Sequence, residues 1–450
     1  MAFIIDKQTL DDLQIIGRRR EGSVYHLFNR TRTRGGAQIL EEMFLYPLAD
    51  MEKIRRRSDI IRYFRERKIA LNFRNDALDT LEHYLSNTDQ RTTIAPENDT
   101  IQRRLRNYIG ADTEYEQLHK GLLAAISVFN GLRELLEKID VDEAPAAYLR
   151  DIIEMQVLLS DPEFSWMHEE RDNKKLAYAR IVKYDHTLRF VARYKIKKLL
   201  YHIYHLDVYI SVAKVAEARG FTSPRVLDIK ENVLKIEGMY HPQLKDPVAN
   251  DFQVDYNSNV IFLTGANMAG KSTFMKTLGI TLFLAHMGFP VPAVDMEFSV
   301  RSGLFTTINL ADNLNMGYSH FYAEVLRLKK VAEQVSHTEH LVVIFDELFR
   351  GTNVKDAYDA TVAVMEAFAG RRNCTFIIST HIMEAGEELR KKCDNINFLY
   401  FPTIMEGNIP NYTYRLTPGI TNDRHGMMII NNEHILDIIK RRRNSLKSAS

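Results

Sequence analysis

A chain of 450 residues is long enough for two or three domains, each with its own core. Hydrophobic residues at 45% and charged residues at 26% are ordinary for a globular protein, and no run approaches the ~20 apolar residues that span a bilayer. The start, MAFIIDKQTLDD, lacks the basic and apolar parts of a secretory signal, and two cysteines, Cys374 and Cys393, exclude both a disulfide framework and a cysteine-built zinc site. A cytoplasmic protein without membrane partners is expected. The net charge of +1 does not mark a nucleic-acid binder by itself.

Along the chain, residues 36–216 carry apolar side chains at helical spacing. Local basic runs stand at Arg18–Arg20, Arg55–Arg57, Arg103/Arg104/Arg106, Lys195/Lys197/Lys198 and Lys440–Arg443, and each alone reads as a solvated helix face. Residues 86–100 are polar and contain proline, which predicts a loop. Ile196, Leu199, Leu200, Ile203, Leu206, Ile210 and Ala213 form one stripe of a long helix, ended by Gly220 and Pro224. His202 and His205 lie a turn apart among Tyr and Ile and read as structural. Short β-rich runs then appear at Val233–Ile236, Val260–Thr264, Leu341–Phe345 and Thr375–Ser379, separated by helical stretches. Such alternation predicts a mostly parallel sheet covered on both faces. The boundary between the halves falls near residues 217–232, and a basic, Ser-rich tail starts at Arg441.

The stretch Gly265-Ala266-Asn267-Met268-Ala269-Gly270-Lys271-Ser272, followed by Thr273, matches GxxxxGK[ST] between a buried strand and an apolar helix. The two glycines permit torsions and approaches that a Cβ would block, so loop amides and the helix N-terminus can face phosphate oxygens. Lys271 is placed to reach the β- and γ-phosphates, and Ser272 to offer its hydroxyl to Mg²⁺. At the end of a second apolar strand stand Asp346 and Glu347. Two adjacent acids beside a triphosphate need separate tasks: Asp346 suits Mg²⁺, and Glu347 suits orienting and deprotonating the attacking water. His381 ends a third strand. Alone it would more often be a structural hydrogen-bonder, but beside these motifs it reads as a γ-phosphate contact.

These motifs resemble the MutS family of DNA mismatch-repair ATPases. Thr264-Gly-Ala-Asn-Met-Ala-Gly-Lys-Ser-Thr-Phe274 is similar to that family's TGPNMGGKST loop, with Ala266 and Ala269 as departures. Asp346-Glu-Leu-Phe-Arg-Gly-Thr-Asn-Val-Lys-Asp356 is similar to DE-x-GRGT-x-x-x-D, with Phe349 in place of a glycine, and Ser379-Thr-His381 resembles A-T-H. Asp312-Asn-Leu-Asn-Met-Gly-Tyr-Ser319-His-Phe321-Tyr-Ala-Glu324 resembles D-x-x-x-x-G-x-STF-x-x-E. Leu13 to Phe64, Asp207 to Ala213, Gly238 to Pro242 and Pro418 to Gly426 extend the likeness outside the nucleotide motifs.

The resemblance implies an α + α/β architecture. An all-helical core and lever region, 1–225, with its DNA clamp reduced or absent, precedes an ABC-type P-loop ATPase domain, 226–440, with a mostly parallel sheet and a basic tail, 441–450. It implies ATP and Mg²⁺ as ligands and a homodimer through the ATPase domain, with Ser319 acting in trans on the γ-phosphate. On the residues alone Ser319 could instead cap the helix near Phe321. The implied task is an ATP-driven switch on mismatched, branched or distorted DNA, bound by structure rather than sequence, with repair proteins as partners. The chain opens where the family's core domain opens, so the mismatch-reading and connector domains are not expected. Phe64-Arg-Glu66 matches the Phe-x-Glu wedge, but inside a helix-like run. Phe252 is the nearest aromatic to where the family stacks adenine. Two other readings stay open: an ATP-gated protein-interaction module without DNA, and a transporter-type ATPase subunit, against which stands the lack of an LSGGQ-like signature.

Overall fold

The structure is a computed structural model that describes residues 2–17, 22–71, 75–89, 113–173, 175–308, 320–406, 409–421, 434–436 and 438–439. Contacts gather the chain into two units, one of Met1–His26, Tyr46–Arg55 and Gly220–Ser450, the other of Leu27–Leu45 and Arg56–Arg219. The chain begins with β1 (Ile4–Ile5) and α1 (Lys7–Asp12). There follow α2 (Arg34–Leu45), α3 (Met51–Arg67), α4 (Asn75–Ser86), α5 (Thr113–Glu137), α6 (Ala146–Leu159), α7 (Tyr178–His186) and α8 (Arg193–Arg219).

The helical unit is organised on α8, whose expected stripe from Ile196 to Ala213 is buried. The helix stops at Arg219, and Gly220 takes a positive φ. Within this stripe Asp207 carries a buried carboxylate that accepts from the Arg32 amide (2.9 Å), the Thr33 amide (2.8 Å) and the Thr33 hydroxyl (2.8 Å). Burial pushes its carboxyl up, and these donors, which satisfy the start of α2, pull against that shift. Phe64 is buried in α3 between the edges of Tyr63 and Tyr148, so it is a core residue and no wedge.

The second unit continues with β2 (Arg225–Leu227), β3 (Leu234–Met239), β4 (Asn250–Val254), β5 (Val260–Gly265), α9 (Lys271–His286), β6 (Asp295–Ser299), β7 (Gly303–Thr307) and α10 (His320–His337). It closes with β8 (Leu341–Phe345), α11 (Val354–Ala369), β9 (Thr375–Ser379), α12 (Met383–Lys392), β10 (Ile396–Phe401), β11 (Thr403–Glu406), β12 (Ile409–Tyr412) and β13 (Thr417–Pro418). Among the described residues the main sheet has the order β1-β7-β8-β9-β5-β10-β13, parallel throughout except for β13. Strands β5, β8 and β9 are buried at every position, as an apolar run without alternation requires of a sheet covered on both faces. One face packs Val260, Val343 and Phe376 against Val331 of α10, Met365 of α11 and Leu389 of α12. Helix α9, buried nearly all round, packs against β5 and β7. The run expected at Val233–Ile236 became β3, which sits in a separate sheet of order β2-β6-β3-β4. Among the described residues no helix is long and apolar enough to cross a membrane.

The first residues join this sheet, which the hydropathy pattern does not announce. Strand β1 pairs in parallel with β7. Asp6 then caps α1, accepting from the Thr9 amide at 3.0 Å, and holds the Arg327 guanidinium of α10. Asp12 accepts from the Thr306 hydroxyl (2.8 Å) and the Ile308 amide (2.9 Å) at the end of β7. Burial pushes the Asp6 carboxyl upward, but hydrogen bonds from Arg327 and Thr9 win and hold it well below the ordinary range. Nearby, the wholly buried His286 donates from Nδ1 to the Leu48 carbonyl (2.8 Å) and accepts the Arg301 amide at Nε2 (3.3 Å), so the neutral ring satisfies both partners.

Two outcomes follow for stability. Asp6→Ala removes a helix cap and leaves the 7% exposed Arg327 side chain without its carboxylate, so unfolding by urea is expected to show a loss of about 2 kcal/mol. Burial holds His286 down at about 4 against an ordinary 6.5. Below pH 6.5 the unfolded chain takes up a proton that the folded chain refuses, so stability falls as pH drops and levels off below about 4. That component is on the order of 3 kcal/mol, and urea titrations from pH 7 to 4 on the parent and on His286→Met measure it, since the variant lacks that part of the slope.

Candidate functional site

The loop between β5 and α9 is shaped by its two glycines. Gly265 has φ +145, and a Cβ there would lie 3.3 Å from the Phe401 carbonyl oxygen. Gly270 has φ +105, and its Cβ would lie 3.1 Å from the Tyr414 ring. Between them the chain turns through Ala266 to Ala269, with the Ala269 amide on the Ala266 carbonyl (3.2 Å) and Met268 exposed at φ +69. Helix α9 begins at Lys271, so its free amides face the loop. The Lys271 ammonium is buried and donates to the carbonyls of Gly265 (2.8 Å) and Ala266 (3.1 Å). Desolvation pushes its pKa down, opposed by the charges of Asp346 and Glu347.

Asp346 and Glu347 follow β8, which β9 separates from β5, and reach this loop across the end of β9. The Ser272 hydroxyl donates to Asp346 Oδ2, and the Ser379 hydroxyl donates to Oδ1 at 2.5 Å. Burial raises the Asp346 pKa, and the two hydroxyls act in the opposite direction. Glu347 has φ +52, which costs a residue with a Cβ about 1 kcal/mol. Its amide donates to the Ser379 hydroxyl at 2.8 Å. Its carboxylate meets His381 Nε2 (2.9 Å) and Arg350 Nη1 (2.8 Å). The His381 bond is the largest cause holding the Glu347 carboxyl down at about 2. Lys271, Ser272, Asp346, Glu347 and His381 are thus brought together, while Ser319 lies outside the described residues.

Above the loop opens a cavity of about 490 Å³. Ala266, Asn267, Met268, Gly270, Lys271, Ser272, Thr273 and Glu347 line it, together with Tyr240, His241, Val248, Asn250 and Tyr414. The sequence offered Phe252 as the aromatic here, and the structure corrects that: Phe252 is buried and packs edge-on against Phe274. The inward alternation of Phe252 and Val254 in β4 was the signal available for this. Tyr414 is the exposed aromatic of the cavity. Its carbonyl accepts from the Asn250 amide group at 3.0 Å, while Asn250 Oδ1 takes the Leu416 amide at 2.6 Å. No sequence spacing connects Asn250 to Tyr414.

Phe349 stands where the resembled motif has glycine, and it keeps a glycine-like φ of +65. Its ring is buried and lies 6.1 Å from that of Phe321, at the start of α10. Apolar burial offsets the left-handed backbone.

The basic runs are less available than their composition suggests. Arg55 pairs with Glu52, Arg56 with Asp151, Lys195 with Asp161 and Glu163, and Lys198 with Glu154. Arg18–Arg20, Arg103/Arg104/Arg106 and Lys440–Arg443 lie outside the described residues. On the helical unit Ile153 and Val157 of α6 and Tyr194 and Tyr201 of α8 are exposed. His202 faces Glu154 at 3.4 Å and His205 donates from Nδ1 to the Tyr201 carbonyl (2.9 Å), as a structural pair would.

Comparison with known proteins places this geometry in a family. The pattern of MutS domain III matches residues 8–213, and that of MutS domain V matches residues 261–449. A DNA mismatch repair protein MutS of Pseudothermotoga lettingae is 24% identical over 514 residues, covering 95% of this chain and 62% of that protein. One of Persephonella marina is 29% identical over 260 residues, covering 57% and 29%, and one of Leuconostoc citreum is 35% identical over 196 residues, covering 42% and 22%. The chain therefore spans less than two thirds of the length of these relatives. Two domain patterns in family order account for both units, and the chain belongs to the MutS family.

Proposed function

We propose that this protein is a DNA-associated ATPase in which Mg-ATP binding and hydrolysis switch a helical lever region on mismatched, branched or distorted DNA, in repair or recombination control. The observation that carries the reading is the meeting of Ser272 with Asp346, which joins a glycine-framed amide loop to an acid-tipped strand. The cavity of about 490 Å³ is of a size to take a nucleotide, and the polar loop and the Tyr414 ring both line it.

In this reading residues 265–273 bind the triphosphate. Lys271, held on two carbonyls, exchanges them for β- and γ-phosphate oxygens, a stronger charge-assisted pairing in a desolvated setting. Among the described residues no three His, Cys, Asp or Glu side chains form a cation cage, so Ser272 and Asp346 would hold Mg²⁺ together with phosphate and water oxygens, as that ion prefers. Bound there, Mg²⁺ neutralises charge on the triphosphate. Glu347 orients the attacking water. With His381 and Arg350 both on its carboxylate it is a weak base, so one of them has to let go before Glu347 accepts a proton. Where His381 is the one that lets go, it faces the γ-phosphate. Ser319 of a second copy completes the site in a homodimer through the ATPase domain, residues 226–440, with the helical region of 1–225 as the lever, apart from Met1–His26 and Tyr46–Arg55, which belong with the sheet. Repair proteins are the partners and the cytoplasm the setting; the relatives' name, DNA mismatch repair protein MutS, supports the repair role.

A second reading, an ATP-gated protein-interaction module, draws support from the carboxylate-paired basic runs and from exposed Ile153, Val157, Tyr194 and Tyr201.

Lys271→Ala is expected to weaken Mg-ATP binding by roughly 10²-fold, from the loss of two charged hydrogen bonds. Glu347→Gln should bind ATP normally while kcat falls by roughly 10²–10⁴-fold. Equilibrium binding with a fluorescent ATP analogue and phosphate release measure both, and normal turnover in Glu347→Gln removes the water-orienting role. For the DNA half, affinity for a junction or looped duplex should fall steeply with salt and respond to ATP. Absence of binding at low salt, with and without Mg-ATP, selects the protein-interaction reading.

A further inference from the structure

We infer that Ser379 is a positioning residue for phosphoryl transfer, one hydroxyl that fixes both acids of the site. The inference rests on the ATPase reading above. Ser379 is the last residue of β9 and is wholly buried. Its hydroxyl donates to Asp346 Oδ1 at 2.5 Å and accepts the Glu347 amide at 2.8 Å, and its carbonyl accepts the Leu348 amide at 3.2 Å. A hydroxyl has one proton to give, so donation to Asp346 and acceptance from Glu347 define a single rotor position. The Glu347 amide sits at a left-handed residue, outside any strand ladder, and the Ser379 hydroxyl is the partner it finds there.

The consequence lies in what happens at Asp346 Oδ2. Ser272 holds that oxygen. A hydroxyl keeps two lone pairs while it donates, so Ser272 would face Mg²⁺ without losing this bond, and Asp346 is held from both sides, at Oδ2 by Ser272 and at Oδ1 by Ser379. The Ser379 hydroxyl thus fixes the orientation of the Asp346 carboxylate that would hold the cation, while anchoring the turn that carries Glu347. The A-T-H motif that this segment resembles has alanine at the place of Ser379, and alanine offers neither bond. The device belongs to this chain rather than to the shared pattern.

The alanine of the resembled motif makes Ser379→Ala the substitution to test. Ser379→Ala is expected to unfold within a few degrees of the parent and to bind ATP without Mg²⁺ as the parent does. The Mg²⁺ concentration at half-maximal Mg-ATP binding should rise roughly fivefold or more, and kcat should fall roughly tenfold with KM nearly unchanged. Ser379→Thr, which keeps the hydroxyl on a strand-favouring residue, should recover most of both losses. Parent-like Mg²⁺ dependence and kcat in Ser379→Ala overturn the inference. So do equal losses in both variants accompanied by a matching fall in Tm, which mark a packing role only. A parent protein that binds no Mg-ATP defeats the ATPase reading itself, and this inference with it.

Discussion

Everything at the candidate site depends on how one half-buried carboxylate is kept. Asp346 lies at the tip of β8, where burial disfavours its charge, and two hydroxyls from either side make that charge tolerable. One hydroxyl belongs to the start of α9 and the other to the end of β9. A single side chain therefore ties together three pieces of chain that are far apart in sequence. The parallel register makes this possible, because it brings the carboxyl ends of β5, β7, β8 and β9 to one edge of the sheet. The Asp346 amide adds a further stitch, to the Thr307 carbonyl at 2.9 Å.

Much of this was legible in the sequence, for local reasons. Buried strands such as Leu341–Phe345 and Thr375–Ser379 announce themselves as unbroken apolar runs with polar ends, and their bounds in the structure are the same. The stripe on α8 and the glycine frame of the loop are equally local. What escaped is non-local. Asn250 meets Tyr414 across 164 positions, and Arg56 meets Asp151 across 95. A two-residue strand such as β1 has no periodicity at all. Ser379 looked like a strand residue beside a motif histidine, and only the backbone turn at Glu347 shows what its hydroxyl does.

The charge pattern teaches the same lesson about range. Clusters of arginine and lysine suggest an open positive surface when read along the chain. In space, Lys195, Lys198, Arg55 and Arg56 already face carboxylates, four of these five pairs across segments of the helical unit and one within a turn. Pairs of this exposure contribute little to stability. They do lower the local field that a phosphate backbone would meet. Composition counts charges, whereas a binding surface depends on charges left uncompensated.

The short strand β1 also has a bearing on handling the protein. It covers the outer edge of β7, and Asp6 and Asp12 pin the chain that follows it. A fragment starting beyond Asp12 would leave β7, an apolar strand buried at every position, with an unsatisfied row of amides and carbonyls. Such a rim recruits strands from neighbouring molecules. Trimming the amino end to isolate the sheet-containing part would therefore favour precipitation over a smaller soluble piece.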